Sequence, residues 1–200
     1  MDKPLYAFAP MTASTFNEPR AAEAAAFLLH QAGGTLPFLK LIKLMYLAER
    51  LSFKRYGEPL TGDKLVSMDH GPVLSRTYDH IKGARPSVQG GWDDWISDKG
   101  EYKVGLSDAS KIRTPEQDLM SLSESDVEVL DEIWREFGHW DRWALVRYTH
   151  VHCPEWQNPE GSSIAIDYDT LFAALGFTAE QTFALKERIT EQACMTARAG

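Results

Sequence analysis

Residues 36–56 place Leu41, Leu44, Met45, Ala48 and Leu51 at the i, i+3, i+4, i+7 spacing of one helical face. Ile42, Tyr46 and Leu47 widen that stripe, so the spacing predicts a helix buried over most of its circumference. Nothing else in the chain constrains the fold as strongly. The remaining strip carries Lys40, Lys43, Arg50 and Lys54 at three- and four-residue steps, which leaves one narrow face for solvent or a partner. Thr35 is expected to cap this helix, with Pro37 in its first turn.

Most of the flanking sequence is also helical in period. Residues 20–31 are alanine-rich with Ala24, Phe27 and Leu28 on one face, and Gly33-Gly34 stops that helix. Thr61 is expected to cap a short helix ending near Ser67, and Gly71-Pro72 to break the chain and open another over residues 72–81. Residues 92–106 change period: Tyr102, Val104 and Leu106 alternate with Glu101, Lys103 and Gly105, and Ser97-Asp98-Lys99-Gly100 offers a turn. A hairpin of this size must pack on helices. Capping-box patterns at Thr114-Pro115-Glu116-Gln117 and Ser125-Asp126-Val127-Glu128 open further helices. The second runs to about Phe137 with Val129, Ile133, Trp134 and Phe137 inward. Asp141 is placed to cap residues 142–150, and Thr178-Ala179-Glu180-Gln181 to cap a last helix ending near Met195.

The expected fold class is therefore mainly α (α+β), a compact multi-helix domain with one small antiparallel β-hairpin near residues 92–106. Residues 1–19, with three prolines, read as an extended lead-in, residues 20–157 as the helical domain, and residues 158–200 as a helical appendage packed on it.

A chain of 200 residues buries on the order of 70% of its unfolded surface, so it needs neither disulfide nor metal to fold. Its two cysteines, Cys153 and Cys194, form no paired pattern, which suits a reducing compartment. The opening Met1-Asp2-Lys3-Pro4-Leu5-Tyr6 lacks the layout of a signal peptide, and no run approaches the ~18 apolar residues that cross a bilayer. A cytoplasmic protein with no membrane partner is expected. The net charge of −8 argues against nucleic acid as the main partner. Charge is unevenly spread, with nine Lys/Arg against five Asp/Glu in residues 36–85 and one against eight in residues 116–136.

No local pattern supplies catalysis. His150-Val151-His152-Cys153 is the densest polar cluster, but no CxxC or HExxH accompanies it, and no nucleophile signature surrounds Cys153. Gly33-Gly34 and Gly90-Gly91 match no phosphate-binding loop. No catalytic residue, metal or cofactor is assigned. Trp92 and Trp95 sit in the hairpin region, where an exposed indole would be a good anchor for a protein partner, although core packing accounts for most tryptophans.

Three segments in order resemble the Panacea domain family, the SocA-like antitoxins and their phage-associated relatives. Lys40-Leu41-Ile42-Lys43-Leu44-Met45-Tyr46-Leu47-Ala48 is similar to the family's KLxKLxYxA helix. Gly57-Glu58-Pro59-Leu60, then His70-Gly71-Pro72-Val73 and Tyr78, resemble its G-x-P-L, GPV and Y run. Leu145, Thr149-His150, Pro154 and Trp156 resemble its late L, TH and W segment. His70 stands where many relatives have Tyr or Asn, and residues 158–200 match nothing in the pattern.

The resemblance implies a helical fold with a small hairpin and no catalytic residues. It also implies an antitoxin that binds a cognate protein toxin, and in some relatives an adaptor that hands the toxin to a ClpXP-type protease. Lys40, Lys43, Tyr46, His70, Gly71, Pro72, Val73, Tyr78, Trp92, Trp95, His150 and Trp156 are the candidate partner-binding or motif residues. Periodic apolar patterning favours a framework role for Lys43 and Tyr46. Two alternatives stand beside this: a hydrolase or metalloenzyme built on His150, His152 and Cys153, and a DNA-binding autorepressor.

Overall fold

A computed structural model describes residues 15–199, so residues 1–14 of the expected lead-in lie outside the described residues. The elements run α1 (Glu18–Gln31), β1 (Thr35–Pro37), α2 (Phe38–Tyr56), β2 (Leu65–Met68), β3 (Gly71–Leu74), α3 (Ser75–Ile81), α4 (Trp92–Trp95), β4 (Ile96–Gly100) and β5 (Lys103–Leu106). A 3-10 turn (Ala109–Lys111), α5 (Pro115–Asp118), α6 (Glu124–Phe137), α7 (Arg142–His152), β6 (Ile164–Ile166), α8 (Tyr168–Ala174) and α9 (Ala179–Ala199) follow. The chain is mainly α with some β, as expected. The β content is larger than one hairpin: two three-stranded sheets are present, ordered β1-β5-β4 and β3-β2-β6.

The central helix α2 packs against α1, α6, α7 and β3. Leu41, Ile42, Leu44, Met45, Tyr46 and Ala48 are fully buried on it. Five alanines of α1 are equally buried, which lets the two helix backbones come close. Pro37 is the N-cap of α2 and carries no side-chain cap bond, so Thr35 does not cap this helix. Thr35 instead pairs with Gly105 across β1 and β5. Pairing the backbone there satisfies groups that a first helical turn would leave open.

At its other end α2 stops at Gly57, whose φ of 65 is left-handed. A Cβ there would also meet the end of the Leu185 side chain of α9 at 2.5 Å. Arg188 of α9 donates to the carbonyls of Tyr56 and Gly57 at 2.8 and 2.9 Å, covering orphan acceptors at the helix end.

One expected helix is a strand, and a second keeps its end at Ile81 but gives up its first residues to a strand. The segment from Thr61 to Ser67 runs into β2, because Thr61 spends its hydroxyl and N–H on Glu49 (2.8 Å each) and not on a cap. Residues 71–74 form β3, antiparallel to β2 with Met68 opposite Gly71, and helix starts only at Ser75. Asp63 caps that helix from outside, accepting from the N–H groups of Arg76 and Thr77 (3.0 and 2.7 Å). β6 closes the sheet on the far edge of β2.

The hairpin turn also moves. Gly100 pairs with Lys103, so the turn is Glu101-Tyr102, both with positive φ (49 and 61), and not the tetrapeptide Ser97–Gly100. Tyr102 accepts the N–H of Phe38 at 2.9 Å, which ties this turn to the start of α2. The capping box of α6 lies at Ser123 and Asp126, two residues before the expected one. Asp141 caps α7 as expected, accepting from Trp143 and Ala144.

Candidate partner-binding site

The motif residues of α2, β3 and α7 converge in the interior. Lys43, expected on the outward strip of α2, is completely buried and donates from Nζ to the carbonyl of Pro72 (2.7 Å). The geometry explains Gly71, which has φ of 92. A Cβ at Gly71 would sit 2.6 Å from Thr149 Oγ1 and 3.1 Å from Lys43 Nζ. Burial pushes the Lys43 ammonium down to about 7, and the neighbouring Cys153 works against that shift. Val73, in the same strand, is core.

One turn along α2, Tyr46 and Arg50 share a second buried centre. Glu155 Oε1 accepts from Tyr46 Oη at 2.8 Å and from Arg50 Nε at 2.7 Å. Glu155 is 1% exposed, so its charge is held by the arginine and not by water. Burial, and then the carboxylate of Glu155, raise the Tyr46 hydroxyl well above its ordinary pKa. Sequence reasoning missed Glu155, a single acidic residue between Pro154 and Trp156 in an irregular stretch, where no periodicity points inward.

His150 and Trp156 stack face to face with centroids 4.0 Å apart, and Trp156 donates its indole N–H to the Met68 carbonyl (2.9 Å). Burial, then Lys43 and His70, lower the pKa of His150. Lys40 is half-buried, donates to the Gly138 carbonyl (2.6 Å) and lies over Trp134 (5.6 Å). Tyr78 is half-buried against the core. Trp92 is core, stacked on His80 at 5.8 Å, with its backbone N–H on Glu18 (3.0 Å). Trp95 is half-buried beneath Lys111. Neither hairpin-region indole is an open anchor.

The expected polar cluster does not gather. His152 turns to the ring of Tyr148 (4.4 Å) while His150 turns to Trp156. Cys153 is 1% exposed, and burial pushes its thiol up to about 12, far from the thiolate that nucleophilic attack requires. One groove of about 800 Å³ runs between Phe16, Pro59, Gly62 and Ile189, and a second of about 340 Å³ lies by Phe38 and Tyr102; His150, His152 and Cys153 line neither. Among the described residues no group of three or more His, Cys, Asp or Glu side chains is placed to hold a metal ion, and no helix is long and apolar enough to cross a membrane.

Close to these motif residues, the outer side of α7 and the β2–β3 turn that carries His70 are accessible. His70 is exposed and meets the edge of Trp143 at 5.5 Å, and the Arg142 guanidinium lies over the same indole at 5.6 Å. Trp143 is 45% and Val151 72% exposed. Of these residues only His70 was singled out by sequence, because α7 has weak amphipathic periodicity and its apolar residues fall on both sides.

A family model described as "Antitoxin SocA-like, Panacea domain" matches residues 41–157. That span takes in the buried Lys43, Tyr46 and Glu155 as well as the outer side of α7. No curated protein and no solved structure matches the chain.

Proposed function

The chain belongs to the SocA-like antitoxins of the Panacea domain family, and from that premise we propose that it neutralises a genetically linked protein toxin by binding it directly. The family match over residues 41–157 carries this reading. The geometry supports it by what it does with its polar groups. Lys43, Tyr46, Arg50 and Glu155 are engaged with one another's elements, so they lock α2, β3 and the turn after α7 into one frame. A frame whose polar side chains are spent on one another leaves contact with other molecules to its surface.

Masking by contact is the proposed act, and delivery to a ClpXP-type protease is a second step that the same experiment separates. The chain is co-expressed with the product of the neighbouring open reading frame, in hosts with and without ClpXP. Growth arrest by the neighbour alone, relieved by this chain in both hosts, is the expected result. Relief only where the protease is present assigns delivery. A neighbour that is harmless alone, or that stays toxic beside this chain, overturns the antitoxin reading.

A further inference from the structure

We propose that Glu49 works as a proton-operated clasp: with its proton in place it holds the Thr61-Gly62 turn and, through that turn, residues 15–17 ahead of α1, and loss of the proton to solvent releases both. This device is independent of the antitoxin reading.

Glu49 lies on α2 with no exposed surface. Its Oε2 accepts from the N–H and the hydroxyl of Thr61, at 2.8 Å each, and its Oε1 from the N–H of Gly62 at 3.1 Å. One side chain thus holds two successive residues of a loop that belongs to neither helix nor strand. The turn passes the hold on. The Thr61 carbonyl accepts from the N–H of Asn17 (2.9 Å), the N-cap residue of α1, and the Gly62 carbonyl accepts from the Thr15 hydroxyl (2.7 Å). Gly62 has φ of 69, and a Cβ there would overlap the Thr15 backbone. Thr15 and Phe16 are half-buried and Asn17 is exposed, so the segment resting on the turn is itself open to water. Thr15, Phe16, Asn17 and Gly62 all line the groove of about 800 Å³, so the clasp sets its width.

A proton decides whether this hold is cheap. The three donors to Glu49 are neutral, and no ion pair among the described residues includes it. Arg50, next along α2, is spent on Glu155, and Arg76 of α3 carries its guanidinium over Phe16 at 5.4 Å. The titratable groups that do face Glu49 are acidic. From the loop comes Asp63, 2% exposed, whose N–H donates to the Thr61 hydroxyl at 3.2 Å. Its carboxylate accepts from the N–H groups of Lys64, Arg76 and Thr77 and from the Thr77 hydroxyl. From α8 comes Tyr168, whose hydroxyl is raised to about 12 by burial first and by Glu49 after it. Two buried carboxylates on either side of one threonine, with no cation between them, do not both carry charge cheaply. Asp63 has the larger set of donors, so the proton belongs to Glu49, on Oε1 with its longer bond. Burial pushes the Glu49 carboxyl up to about 7, and Asp63 adds to that push against the donors of Thr61 and Gly62. Once ionised, Glu49 is a charge with neither water nor counterion. Opening the turn above it disturbs less than opening α2, which carries the core. The closed form therefore loses its advantage as pH rises through about 7, since the opened carboxyl returns toward its ordinary 4.5.

The test is hydrogen–deuterium exchange of the full chain and of Glu49→Gln, corrected for the intrinsic pH dependence of amide exchange. Between about pH 6 and pH 8, opening over residues 15–17 and 61–63 is expected to rise about tenfold, and to change less in α6. In Glu49→Gln, whose amide stays neutral, no such rise is expected. Equal opening at the two pH values overturns the clasp. So does a rise that persists in Glu49→Gln, which assigns it to another group, or one of equal size throughout the chain, which is global unfolding. Where Glu49→Gln does not fold, the carboxyl carbon resonance of Glu49 in the unsubstituted chain decides. A midpoint near 7, followed by the Gly62 amide, sustains the clasp, and a midpoint in the ordinary carboxylate range overturns it.

Discussion

The two sides of the α7 region use similar residue types for opposite ends. Inward, Thr149, His150, Glu155 and Trp156 meet Lys43, Tyr46, Gly71 and Met68 in contacts that leave little to water. Outward, Arg142, Trp143, Arg147 and Val151 stand on the same helix with solvent before them. The difference teaches that the residues of a sequence motif and those left to solvent can lie on one short segment without overlapping. The residues that most resemble the family pattern hold the frame, and the ones between them face solvent. Substitution should then separate the sides cleanly: inward changes lower stability, and outward changes leave it nearly unchanged.

The largest effect is expected from Glu155→Ala. It strands Arg50 and the Tyr46 hydroxyl without their shared acceptor, and loss of one partner of a buried pair costs about 3–5 kcal/mol. Urea unfolding checks it. Gly71→Ala should cost about 2–3 kcal/mol by the same measurement, because the added methyl meets Thr149 while the backbone keeps a positive φ. An unchanged midpoint for either variant would mean that this interior is looser than its distances indicate.

The next effect is a pH dependence. The Lys43 pKa is about 7 in the folded chain against an ordinary value of 10.5. Between those values the unfolded chain binds a proton that the folded one does not, so stability rises with pH from about 7 toward 10. Buried Glu49 acts in the opposite sense lower down. Burial raises its carboxyl to about 7 from 4.5, so its contribution falls as pH climbs through that window. Subtracting Lys43→Met from the unsubstituted chain isolates the lysine. The difference should grow in favour of the unsubstituted chain by about 2 kcal/mol between pH 7 and 9. A flat difference would place the ammonium in contact with water.

Tyr46→Phe, which removes one hydrogen bond and keeps the ring, should cost about 1 kcal/mol. Arg147→Glu should change stability least, within about 0.5 kcal/mol, since it is an exposed substitution. A large loss of stability there would erase the contrast between the two sides.

Some of this was legible from sequence. The burial of α2, the stop at Gly57, the cap at Asp141 and the ordered motifs could be read because each is local or periodic. The failures share a cause, which is partners distant along the chain. Residues 35–37 and 71–74 became strands because Lys103–Gly105 and Leu65–Met68 lie beside them, and no local signal announces that pairing. Lys43 fell on the outward strip of a helical wheel although its motif pattern favoured a framework role, because its acceptor, the Pro72 carbonyl, is 29 residues away. Glu155 and Tyr46 are separated by 109 residues. Trp143 and Val151 escaped notice because a single exposed apolar residue is ordinary, and only the fold shows that they share a side.

Hydrogen–deuterium exchange of Glu155→Ala and Arg147→Glu, each beside the unsubstituted full chain, tests the separation of frame from surface most directly. Faster exchange is expected in α2 for Glu155→Ala, with no change there for Arg147→Glu. Equal acceleration by both substitutions, or by neither, would contradict it.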